Sequence, residues 1–194
     1  RHLLVVFGLL LGWSGVASAQ VEMSFEAQPV EEDADAKAEL AEAVTSYKRD
    51  DFLRSSLLLY RLLERSERGN RNGRLVGLSA QKAQYFLGKT LYRLGLYQAS
   101  LGYFDRVVQQ GVDHRYFKPT CKWLYYLSRK ISGDPGLLER IAKYRPDDCP
   151  VEFRSEISFL LGQYHYQRGA VKTSLDYLSR VTPESSYFPK AKFL

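Results

Sequence analysis

Apolar residues recur at helical spacing along most of the chain, most clearly in Tyr85–Val108, YFLGKTLYRLGLYQASLGYFDRVV. Leu87, Leu91 and Leu94 fall at i, i+4 and i+7, on one face of a helix. Leu101, Phe104 and Val108 follow at i, i+3 and i+7. Between the two runs stands Gly95, whose easy positive φ suits a helix end. The pattern predicts two amphipathic helices joined by a tight turn. Gly88 lies inside the first helix, where glycine costs about 1 kcal/mol relative to alanine. It predicts a close approach by the second helix, with Ser100 as the small residue facing it.

Adding 74 to each landmark finds the unit again. Leu87 becomes Leu161, Gly88 becomes Gly162, Gly95 becomes Gly169, Ser100 becomes Ser174, Leu101 becomes Leu175 and Phe104 becomes Leu178. At half that offset, 37, lie Leu124, Ile131, Leu138 and Ile141, but the glycines have become Tyr125 and Ser132. Gly133-Asp134-Pro135 marks the turn of this middle copy. Going back 45 residues aligns DDFLRSSLLLYRLLE with GLYQASLGYFDRVVQ, with Ser55 for Ser100 and Leu59 for Phe104. The surplus length is a Gly- and Arg-rich surface loop, Glu67–Gly77, with no Gly-Lys-Ser/Thr to make it a phosphate cradle.

Gln84-x2-Leu87-Gly88-x2-Leu91, followed by Ser100-x3-Phe104, resembles the tetratricopeptide (TPR) pattern W-x2-L-G-x2-Y…A-x3-F, without its tryptophan and tyrosine. The resemblance implies an all-α fold, an α-solenoid of antiparallel hairpins stacked in a right-handed superhelix over residues 39–194. The hairpins are expected at about 40–66, 78–110, 117–145 and 152–182, with another beginning at 187–194. Phe193 and Leu194 would lie uncovered there, so the array is expected to continue.

In the repeat frame Cys121 lies near the start of a first helix and Cys149 just past the end of its partner. These ends adjoin in an antiparallel hairpin. The spacing fits a disulfide closing the middle hairpin; two separate buried thiols are the alternative. A bridge of this length would contribute roughly 3–4 kcal/mol by chain-entropy arithmetic.

Residues 1–19 read as a secretory signal peptide: Arg1 and His2, the apolar Leu3–Trp13, then Ala17-Ser18-Ala19 as the cleavage site. The periplasm is the expected location. Residues 20–38 read as an acidic linker passing into a helix; an acidic segment could instead mask a basic groove. From Val44 onward 26 Lys plus Arg stand against 14 Asp plus Glu, a net +12. Basic domains commonly meet nucleic acid. An exported one meets anionic lipid, lipopolysaccharide, cell-wall polymer or acidic protein instead, so no nucleic-acid partner is expected. Plain solubilising charge is the other reading.

Little in the chain suggests catalysis. There is no HExxH, CxxC or nucleophile elbow. His165 falls where Leu91 falls and reads as a packed histidine; His114 sits between hairpins. Asp147-Asp148, between prolines, reads as a turn rather than a metal site. No cofactor, metal or catalytic residue is expected.

In TPR proteins the first helices of successive hairpins line a concave groove. The resemblance implies groove positions at Lys82, Tyr85, Lys89, Tyr92 and Arg93, then Lys122, Tyr126, Arg129 and Lys130, then Phe159, Gln163, Tyr166 and Gln167. That basic, aromatic strip suits an extended peptide bearing carboxylates. The alternative is tyrosines that pack hairpins and lysines that solvate an edge. The implied function is a non-enzymatic scaffold binding other envelope proteins, with peripheral contact to membrane or cell wall. The Tyr- and Arg-rich repeats resemble those of exported proteins in myxobacterial gliding motility. The alternative is a periplasmic binding protein for an anionic cell-wall or lipid ligand.

Overall fold

The computed structural model describes residues 33–68, 75–131 and 134–194. The expected signal peptide, most of the acidic segment, most of the Gly- and Arg-rich loop, and Ser132-Gly133 lie outside the described residues. The described chain is all helical, with no strand. In order the helices are α1 (Ala34–Lys48), α2 (Phe52–Glu67), α3 (Gly77–Arg93), α4 (Tyr97–Gln110), α5 (Phe117–Ser128), α6 (Pro135–Ile141), α7 (Arg154–Gln167), α8 (Val171–Leu178) and α9 (Phe188–Phe193). From α1 to α8 each packs against the next in sequence. Helix α1 starts inside the stretch 20–38 read as linker. Asp33 caps it by accepting from the Asp35 amide at 2.8 Å, and Ala36 and Leu40 are already buried. The acidic composition hid a helix whose buried apolar residues are Ala36, Leu40, Ala43 and Val44.

Three turns are built alike. Gly95 and Gly169 have φ of 78° and 73°, and Asp50 takes the same left-handed region at 60°. The next amide in each case, Leu96, Ala170 or Asp51, donates back to Leu91, His165 or Ser46 at 2.9–3.0 Å. These bonds satisfy carbonyls that the helix end leaves free. Asp50, Gly95 and Gly169 are spaced by 45 and 74, the offsets of the repeats.

Inside the hairpins the glycines do what their cost predicts. A Cβ built on Gly88 would lie 2.8 Å from the Phe104 ring, and one on Gly162 would lie 2.6 Å from Leu178. The Ser100 hydroxyl donates to the Gly88 carbonyl at 2.8 Å, and Ser174 does the same to Gly162 at 2.8 Å. In α1–α2, Ala43 and Leu59 occupy these places, both wholly buried.

The middle hairpin is held otherwise. Helix α6 is only seven residues long. Cys121 and Cys149 are joined by a disulfide with Cα atoms 5.6 Å apart, both sulfurs' residues buried. Tyr144 stacks on Phe117 at 4.2 Å and donates its hydroxyl proton to the Phe117 carbonyl at 3.0 Å. The segment beyond α6 is thereby fastened to the start of α5.

The connections between hairpins also repeat. After α4, the Tyr116 amide donates to His114 Nδ1 at 3.0 Å and the Phe117 amide to the His114 carbonyl at 2.9 Å. After α8, the Tyr187 amide donates to Ser185 Oγ at 3.2 Å and the Phe188 amide to the Ser185 carbonyl at 3.0 Å. Tyr116 then stacks on Tyr85, and Tyr187 on Phe159, each at 4.6 Å. Two apolar cores follow. One joins α1, α2 and one side of α3; the larger, aromatic one runs from α3 to α9.

Candidate interaction face

Helices α3 and α5 carry Lys82, Lys89, Arg93, Lys118 and Lys122 but no acidic residue. Tyr85 sits at their junction. It is 6% exposed, accepts a hydrogen bond from Trp123 Nε1 at 3.1 Å, and burial pushes its phenol up to about 12. One turn on, the Lys89 ammonium lies among ring faces: 4.3 Å from Tyr47, 4.4 Å from Phe86, 5.4 Å from Tyr85 and 5.8 Å from Trp123. Burial, then Lys122 and Arg93, pull its pKa down to about 8. The rings' negative faces oppose that pull by attracting the cation. No carboxylate lies in ion-pair range of Lys89 among the described residues; Arg93 reaches Asp50 at 3.5 Å.

Beside this cation runs an aromatic floor. Tyr92 meets Trp123 at 5.3 Å and Tyr126 at 6.2 Å, and Tyr126 meets Phe153 at 5.5 Å. Lys122 lies 5.9 Å from the Trp123 ring. Arg129, exposed, faces Tyr125, Tyr187 and Tyr92. Lys89, Tyr92, Arg93, Lys122, Tyr126 and Arg129 thus come together.

The other expected groove positions do not. Tyr85 and Phe159 are core residues, each covered by the tyrosine of a connection, so neither presents a surface to a ligand. Lys82 lines a separate cleft with Leu78, Arg115 and Tyr116. Gln163 and Gln167 line another with Ser128, Ile131 and Leu160. Lys130 sits 5.9 Å over Tyr97, and Tyr166 is exposed near the end of α7. Trp123, Tyr47 and Phe86 were missed. They belong to the floor because the helices cross there, which the repeat frame alone does not reveal.

The two described histidines, His114 and His165, pack. His165 stacks on Tyr177 at 5.4 Å with planes 6° apart. His114 is 1% exposed, and its Nε2 has no hydrogen-bond partner among the described residues. Burial lowers its pKa below the usual range. Among the described residues no group of His, Cys, Asp and Glu could hold a metal ion, and no helix is long and apolar enough to cross a membrane. No family model matches the chain, and no curated protein or solved structure matches it.

Proposed function

We propose that the chain is a non-enzymatic scaffold of stacked TPR-like hairpins that holds other proteins of the bacterial cell envelope. A partner's extended, carboxylate-bearing peptide lies on the α3–α5 face. The observation that carries this reading is the convergence of Lys89, Lys122 and Arg129 around Tyr92 and Trp123, with Arg93 beside them over Phe52, on and just after two helices that lack an acidic residue. An acidic peptide supplies the missing carboxylates through charge-assisted hydrogen bonds, and its aliphatic parts pack on the rings. The solenoid is supported by turns and Ser–Gly bonds that recur at fixed offsets, as stacking of like units requires. The envelope location rests on residues 1–19 and on the bonded cysteine pair, which an oxidising compartment preserves. A gliding-motility machine is one assembly of this kind, named for the likeness of the Tyr- and Arg-rich repeats.

The same cations favour a second reading, a periplasmic binding protein for an anionic cell-wall or lipid ligand. In-cell crosslinking and recovery of the full chain, beside a Lys122→Glu/Arg129→Glu variant, tests both. A discrete set of envelope proteins, lost from the variant, supports the scaffold. Wall polymer or lipid that salt releases gives the face to the second reading. Unchanged recovery by the variant removes the face from either role.

A further inference from the structure

Helix α2 buries Ser55, Leu59, Leu62 and Leu63. Its other side carries Leu53, Leu57 and Tyr60 at i, i+4 and i+7, a single stripe. These residues are 63%, 50% and 52% exposed. The internal repeat provides a control. The matching positions hold Gln98, Gly102 and Asp105 in α4, and Lys172 and Asp176 in α8 with Ser179 just past its end. The hairpin does not need apolar side chains there, so the stripe is not a by-product of the repeat.

Charge lies beside it. Arg54 and Arg61 each follow a stripe residue and share one flank, and Lys48 and Arg49 are exposed just before α2. Arg54 is held by Glu42 yet its side chain is 62% exposed. Arg61, Lys48 and Arg49 have no carboxylate within ion-pair range among the described residues. Glu64 continues the line of the stripe, but Arg68 neutralises it at 2.7 Å.

We propose that this face of α2 is a membrane-contact surface. Leu53, Leu57 and Tyr60 enter the headgroup zone of an anionic bilayer while the flanking arginines meet lipid phosphates. A short apolar ridge, a tyrosine and cations at its flank match that zone. A second copy fits less well. Three partly exposed side chains fall far short of the roughly 800 Å² per partner that a stable protein interface buries. A bilayer asks for no shape match and adds charge attraction to a small apolar area. The surface shares no residue with the α3–α5 cluster, so the two are independent.

The test is cosedimentation of the full chain with vesicles of phosphatidylglycerol and phosphatidylcholine, and with phosphatidylcholine alone. Binding should require the anionic lipid. Leu53→Gln/Leu57→Gln should weaken it about tenfold or more, and Arg61→Glu by a smaller factor, with the helical melting curve unchanged. No binding by the parent overturns the proposal. So does binding that the paired substitution leaves intact, whether residues 1–19 or the α3–α5 face holds the vesicle. A concentration-dependent dimer dispersed by the same substitutions also overturns it and gives the stripe to a second copy.

Discussion

In α3–α4 the helices meet at Gly88, whose missing side chain leaves room for Phe104, and Gly162 does the same for Leu178 in α7–α8. In α5–α6 the matching residue is Tyr125, and the second helix is seven residues long. Close approach is unavailable there. A disulfide and the Tyr144–Phe117 stack join the two limbs instead. The outer hairpins rest on helix-to-helix fit, the middle one on a covalent tie and stacked rings. A repeat position can therefore lose its small residue without losing the hairpin, provided another device sets the spacing.

The largest break in this comparison comes from the tie. Cys121→Ala/Cys149→Ala, or reduction, should cost roughly 3–4 kcal/mol and lower Tm by about 10 °C. Amide exchange should rise in α5 and α6 before α7 and α8. Equal loosening throughout would mean that the bridge supports the whole stack rather than its middle. Next comes Gly88→Leu, expected to cost roughly 1–3 kcal/mol by overpacking against Phe104. Gly102→Ala is its control. A Cβ there meets nothing within 4 Å, so helix propensity alone should make it neutral or stabilising by up to about 1 kcal/mol. Denaturant melts of both variants check this, and a destabilised Gly102→Ala would remove the contrast.

Ser100→Ala and Ser174→Ala should each cost about 1 kcal/mol, since each removes one buried hydroxyl bond to a glycine carbonyl. Clearly unequal losses would show that the two outer hairpins are not energetic equivalents. The smallest effect is at the connections. Burial depresses the pKa of His114 in the folded chain. The unfolded chain takes up a proton first as pH falls, so this stabilisation is full above about pH 6.5 and is lost as pH drops below it. His114→Ser copies Ser185, which makes the same local bonds without titrating. The variant should show a flatter stability–pH profile below 6.5; an unaltered slope would place the titration elsewhere.

The hairpin interiors were legible because their signals are local. Gly88, Ser100 and Phe104 recur with their own spacing, and each carries a geometric requirement that sequence states directly. Asp50 stands opposite Gly95 in the repeat alignment, but aspartate adopts the left-handed region less readily than glycine, so the residue itself states the turn less directly. The face was half legible. Lys89, Tyr92, Arg93, Lys122, Tyr126 and Arg129 converge, but Tyr85 and Phe159 are covered by Tyr116 and Tyr187 from the connections. Those connections lie outside the TPR pattern, so the pattern left two core residues on the surface. The recurring Tyr-Phe pairs, Tyr116-Phe117 and Tyr187-Phe188, were the available clue.

The scaffold reading is tested most directly by a photo-crosslinking residue placed in the full chain at Tyr126, on the face, and separately at Lys172, on the exposed side of α8. The account predicts a discrete envelope protein captured from Tyr126 in cells and not from Lys172, with capture abolished by Lys122→Glu. Capture of the same protein from Lys172 alone, or from Tyr126 regardless of Lys122→Glu, would contradict it.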